Sequence, residues 1–192
     1  NFKADIFVPV WTSQLYASDW LEAAPLPVKL DVTTDGSDWS VSVMNLREHS
    51  LTNAHLVLGG RIMDLGELPS RQTKTYKFGK EQGRSLHEFV GSIAAGFQGA
   101  AGSRQNAFGA SGGGHIGDLP NSTIAASFIS NLENERFITP PGLDLSQVME
   151  HGNAILLAWE SDYSPIKPLN QFPTRRGHID TLWRLAVPVN AQ

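Results

Sequence analysis

The stretch from 26 to 78 most narrows what this chain can fold into. It alternates apolar and polar residues, breaks at a turn signal, and alternates again. That rhythm is the signature of short antiparallel strands with one dry face and one wet face. Val28, Leu30 and Val32 alternate before the turn pair Asp35-Gly36. Trp39, Val41 and Val43 alternate on the next segment, with Ser40 and Ser42 opposite them. After a polar loop from 45 to 53 come the apolar segment 55–58, the break at Gly59-Gly60, a short strand near 62–65 and a last one at 73–78. A β-rich module over 26–78 is expected. Residues 1–25 and 79–192 are expected to form an α+β part made of terminal strands and two or three helices.

The texture changes after 78. Ser85 followed by Glu88 forms a capping box, and Leu86, Phe89, Val90, Ile93, Ala94 and Phe97 recur at helical spacing. A helix is expected over 85–98, a second over 122–131, and a short third one capped by Asp144 and stopped by Gly152. The Gly/Ala/Ser-rich stretch 99–117 and the Pro-rich stretch 163–178 read as loops. Ahead of the module, 4–11 and 12–17 read as strands, with Pro9 restricting the first to an edge. Residues 154–159, Ala-Ile-Leu-Leu-Ala-Trp, are apolar on both faces and belong in the middle of a sheet. Residues 181–189 supply a further strand. These terminal strands are expected to share one sheet, with the 26–78 module beside it or in front of it.

Charge and cysteine content exclude several classes of chemistry. The net charge is −4, and the largest basic cluster is the pair Arg175–Arg176, so nucleic acid is not an expected partner. The chain has no cysteine, which removes disulfides, zinc–thiolate sites, iron–sulfur clusters and cysteine nucleophiles together. The charge-free run 89–103 is too short to span lipid. The opening Asn1-Phe2-Lys3 carries no leader pattern and reads as a processed or excised segment, so membrane segments are expected in flanking sequence.

The run Trp39-Ser40-Val41-Ser42-Val43-Met44-Asn45, then Leu51 to Leu58, then Asp64-Leu65-Gly66-Glu67-Leu68, resembles immunoglobulin-like extracytoplasmic domains of bacterial membrane proteins. In that pattern a strand ends in Asn, a polar loop follows, and an apolar strand precedes a short Leu-Gly-x-Leu strand. The segments 154–162 and 181–189 resemble the last strands of such domains. The likeness covers about a third of the chain and carries no catalytic residue with it. It implies a mainly β (α+β) fold, an immunoglobulin-like antiparallel β-sandwich with an inserted helical block, placed in the periplasm or cell envelope.

Several constellations compete with a purely binding role. Gly109-Ala110-Ser111-Gly112-Gly113 matches the hydrolase pattern G-x-S-x-G, with His115 or His87 as base. That elbow needs a strand before Ser111 and a helix directly after it, and neither neighbour reads so. Gly112, Gly114 and Gly117 fit a dinucleotide fingerprint without the βαβ unit it requires. Glu160 and Asp162 pair two carboxylates at a strand end, which suits acid–base work, Ca²⁺ or plain solvation. Of the five tryptophans, Trp39 and Trp159 fall in core patterns, while Trp11 and Trp20 are the candidates for a ligand-binding face. Asn121-Ser122-Thr123 fits a glycosylation sequon but opens a predicted helix.

The resulting expectation is a non-enzymatic extracytoplasmic domain that binds a protein partner or a small ligand through the 99–117 and 163–178 loops. It uses no cofactor and no metal, and reaches the membrane through flanking segments. A serine hydrolase around Ser111 and a carbohydrate-binding module are the alternatives.

Overall fold

The computed structural model describes residues 23–94, 118–131, 144–165 and 179–191. The expected strands at 4–11 and 12–17 and the loop 99–117 lie outside the described residues, as does most of the 163–178 loop.

The fold is mainly β, with two sheets among the described residues. Strands β1 (Val28–Thr34), β2 (Asp38–Asn45) and β5 (Thr73–Gly79) form the first sheet, in the order β5-β2-β1-β9, with β9 (Asn190–Ala191) at its other edge. The second sheet runs β6-β4-β3-β7-β8, from β3 (Leu51–Leu58), β4 (Arg61–Leu68), β6 (Arg84–Ser85), β7 (Asn153–Glu160) and β8 (Thr181–Pro188). All pairings are antiparallel except β1 with β9.

The sheets pack face to face because their alternating apolar residues point at each other. Val28, Leu30, Val32, Val41 and Val43 of the first sheet meet Leu51, Leu56, Leu65, Leu156 and their neighbours of the second in one buried cluster. The opposite face of the second sheet is also apolar. Val57, Ile62, Ile155, Leu157 and Trp159 pack there against Leu86, Phe89, Val90, Ile124 and Phe128. Those last five belong to a helical layer. It comprises α1 (86–94), α2 (Leu119–Ala126) with the 3-10 turn Ile129–Asn131 after it, and α3 (Ser146–Glu150). The described residues therefore form three layers, with the β6-β4-β3-β7-β8 sheet in the middle.

This arrangement changes one expectation. Of the terminal strands, β7 and β8 share one sheet as expected, but part of the 26–78 module lies in that same sheet: β7 pairs with β3 on one side and β8 on the other. A strand that is apolar on both faces needs hydrogen-bonded neighbours as well as two covering layers, and β3 supplies one of them.

Local chemistry sets the helix starts close to the expected places, while the expected end of the first helix at 98 lies outside the described residues. The Glu88 N–H reaches Ser85 Oγ at 3.4 Å. The second helix starts earlier than expected, because the Asp118 side chain accepts from Asn121 N and Pro120 fits the first turn. Asp144 acts as a tie between turns: its carboxylate accepts from Ser130 N at 2.9 Å and Ser146 N at 2.8 Å. Gly152 ends the third helix at φ +77°.

Two opposed bulges break the strand rhythm. Asn53 takes φ +47°, and three steps along β3 from Leu51 to Ala54 match two along β4. Gly66, at φ +70°, supplies the compensating extra residue on β4, its N–H held by Asp64 Oδ1 at 2.7 Å. The outer edge of β4 is capped by side chains from β5. Tyr76 Oη–H donates to Leu65 O at 3.0 Å and Lys74 Nζ to Glu67 O at 2.6 Å, so these carbonyls are not left open to a foreign strand.

Truncating Leu156 to Ala should cost about 2–5 kcal/mol in urea unfolding, since the site is closed on every side. Tyr76→Phe should cost about 0.5–1.5 kcal/mol by removing a single hydrogen bond. Burial pushes the Asp144 carboxyl up, but its hydrogen bonds to Ser130 and Ser146 outweigh this and hold it below its ordinary 3.8. Its contribution is therefore full above pH 3.8 and is lost as pH falls through the depressed folded value. The Asp144→Asn variant should lose stability at neutral pH and show a shallower acid limb than the parent.

Candidate functional site

At one pole of the sandwich three connections meet: 46–50 between β2 and β3, 69–72 between β4 and β5, and the start of the connection that follows β7. Asn45, fully buried at the end of β2, organises the first of them. Its Nδ2 donates to His49 O and Leu68 O, both at 2.9 Å, and its Oδ1 accepts from Arg47 N at 2.8 Å. A short polar side chain that bonds the backbone two residues on is a standard way to fix a turn.

That turn aims Arg47 at Glu160, the last residue of β7. Glu160 is fully buried, the one charged residue in that state among the described residues. By the alternation of β7 it falls on the sandwich side, in line with Leu156 and Ala158. Its Oε2 accepts from Arg47 Nε at 3.0 Å and from Trp183 Nε1 at 2.8 Å. The Arg47 guanidinium lies 4.3 Å from the Tyr163 ring centroid and 5.4 Å from that of Trp183, so two aromatic faces flank it. Burial lowers the proton affinity of Arg47, but hydrogen bonding to Glu160 and Tyr163 more than offsets this, and its pKa lies above the ordinary value. The other connections attach to the same residue or its neighbour: Ser70 Oγ donates to Arg47 O at 3.0 Å, and Arg71 pairs with Glu48.

This cluster holds the pole together. The Glu160 carboxylate is sealed from solvent and engaged by two donors. Asp162, its expected companion, is exposed and lies beyond the strand end, so the two carboxylates do not share a site.

The remaining expected residues are scattered. His87 sits exposed on α1. Ser111, His115, Trp11 and Trp20 lie outside the described residues. Among the described residues no group of three His, Cys, Asp or Glu side chains is placed to hold a metal ion. Trp39 and Trp159 are core residues as expected, each 8% exposed. His55 packs its ring 6.2 Å from that of Phe89, and its Nδ1 lies 2.9 Å from Asn53 O. Asn121 of the sequon is occupied within α2, its Nδ2 donating to Asp118 Oδ2 at 2.7 Å.

A second concave feature lies on the outer face of the first sheet. It is a trough of about 470 Å³ lined by Asp31, Thr33, Ser40, Ser42, Thr75 and Lys77, among others. The two serines of the central strand lower its floor. It is open, whereas sites that hold small molecules tightly are mostly enclosed.

Sequence reasoning did not single out Arg47, Tyr163 or Trp183. The available signals were an Asn closing a strand with Arg two residues on, and one Glu ending a strand otherwise wholly apolar.

Arg47→Met should destabilise the domain by about 2–4 kcal/mol in urea unfolding. This is below the usual 3–5 for breaking a buried pair, because the Arg47 side chain is 27% exposed. Among described residues no helix is long and apolar enough to cross a membrane. No family model matches this chain, and neither does any curated protein or solved structure.

Proposed function

We propose that this chain is a non-enzymatic, immunoglobulin-like domain of a bacterial envelope protein, held outside the cytoplasm, that binds a protein partner or a small ligand. The observation that carries this reading is the chain path. β1–β2, β3–β4 and β7–β8 are antiparallel pairs of successive strands, and the chain changes sheets after β2, after β4, after β5 and after β8. Two sheets joined by such crossings are the Greek-key plan of immunoglobulin-like sandwiches. The helices then read as a block inserted between β6 and β7, packed on the outer face of the second sheet.

The pole geometry supports a binding role over a catalytic one. Loops gathered at the end of a rigid sandwich are the usual place for recognition on such folds. Here the most deeply buried ionic interaction braces those loops. Envelope placement is supported by the sequence resemblance and by the light charge of the chain, of which 18% is charged.

Two experiments test the reading. Protease added to spheroplasts that carry the full-length gene product should digest an epitope in this domain while a cytoplasmic marker survives. An epitope protected until the inner membrane is lysed would overturn the placement. A fluorophosphonate probe should leave the purified protein unlabelled. Labelling that disappears in Ser111→Ala would establish the hydrolase alternative instead.

A further inference from the structure

We infer that the outer edge of β8 is a self-association surface, where β8 of a second copy of this chain adds antiparallel and joins the two second sheets into one. An open strand edge offers a row of backbone donors and acceptors, and natural sheets protect such edges with charge, proline, bulges or brevity. Three of the four edges here are protected in this way. β6 and β9 are two residues long each. Where β9 stops, β1 carries the exposed Lys29 and Asp31. β5 carries Lys74 and Lys77.

The fourth edge lacks these devices. β8 pairs with β7 at eight consecutive positions without a bulge, and among the described residues no strand lies beyond it. Arg184 is its one charge, and Pro188 comes only at its last position. A long, flat, largely apolar edge of this kind is a template for another strand. Its side chains point the same way. Trp183, Leu185 and Val187 face the sandwich and pack against its core, yet all three stay only partly buried. A strand added beyond β8 would finish their cover.

Symmetry and alternation select the occupant. A two-fold axis normal to the sheet brings β8 of a second copy antiparallel to the first, with each sandwich face continuing the other. The axis must then pass through a residue position, since a slip of one residue turns every side chain to the wrong face. With the axis at 185, Leu185 meets its own copy and Trp183 meets Val187, an aromatic and β-branched pair of the favourable cross-strand kind. On the other face Arg184 meets Ala186, so no charge faces a charge. Arg184 holds an interaction of its own, and this register asks nothing further of it. With the axis at 184, Arg184 would face Arg184, which like-charge repulsion disfavours. With the axis at 186, the paired stretch shrinks from 182–188 to 184–188. The edge is thus complementary to itself in one register. The surface is a flank of the sandwich, apart from the loops at its pole, so the inference does not depend on the proposed binding role.

The test uses the whole 192-residue chain. In sedimentation equilibrium at about 100 µM it should be mainly dimeric, as expected for a micromolar Kd. Because the chain has no cysteine, one introduced thiol reports the register. Leu185→Cys should form a dimer-linking disulfide under mild oxidation, since directly opposite Cα atoms lie about 4.5–5.5 Å apart, within disulfide reach. Ala186→Cys should not, because its own copy is diagonal at about 7–8 Å, and neither should Ser42→Cys on the first sheet's outer face. Ala186 is exposed, so Ala186→Lys should leave the urea midpoint unchanged while placing a lysine in mid-edge; it should weaken the dimer about tenfold. A monomer at about 100 µM would overturn the inference, whether a segment of the same chain or nothing covers the edge. So would a disulfide yield from 185 no higher than from 186 or 42, or a dimer indifferent to Ala186→Lys.

Discussion

The fold depends on one strand that must be dry on both faces. β7 is buried along Ala154–Glu160, with Ala154, Leu156 and Ala158 facing the first sheet and Ile155, Leu157 and Trp159 facing the helices. Water cannot cover either face without a large cost in apolar exposure. The second sheet therefore needs a layer on each side, and the rest of the architecture meets that need. The first sheet covers one face and keeps an outer face of Ser, Thr, Lys and Asp for solvent. Helices α1 and α2, with the turn that follows α2, cover the other.

The same strand creates the sharpest electrostatic demand in the molecule. Its last residue is Glu160, fully buried at the edge of the core. A carboxylate there is tolerable only with donors in place, and Arg47 and Trp183 provide them. Because Arg47 comes from a different connection, satisfying this charge also fastens the 46–50 loop to the end of β7. One buried charge thus turns a set of separate loops into a pole of fixed shape. A docking surface that loses little entropy on binding has to start from such a base.

Much of the first sheet was legible because alternation is a local code. Val28, Leu30, Val32 and Trp39, Val41, Val43 face the core as their spacing requires. The code failed where a bulge changes its parity. Leu51 faces the sandwich, but so do Ala54, Leu56 and Leu58, because the left-handed Asn53 inserts one residue between the two sets. Gly66 does the same between Leu65 and Leu68. Neither shift follows from composition, since an Asn or Gly in a strand fits several local conformations until its neighbours choose one. The starts of the first and third helices were legible, because Ser85 and Asp144 act on backbone groups close to them in sequence, whereas the second helix begins at Leu119 and not at 122.

The candidate site was much less legible, for the same reason of range. Glu160 and Asp162 looked like a carboxylate pair from their spacing alone, yet strand geometry buries one and exposes the other. Arg47 is 113 residues from its partner Glu160, and no periodicity links them. The sequence by itself determined the mainly β character, the two-sided burial of β7 and the local caps, because each depends on residues within a few positions. Only the tertiary structure decided which strands share a sheet and which cation meets the buried carboxylate. Those outcomes come from pairings between distant segments, and the energy that selects them arises only when the layers close.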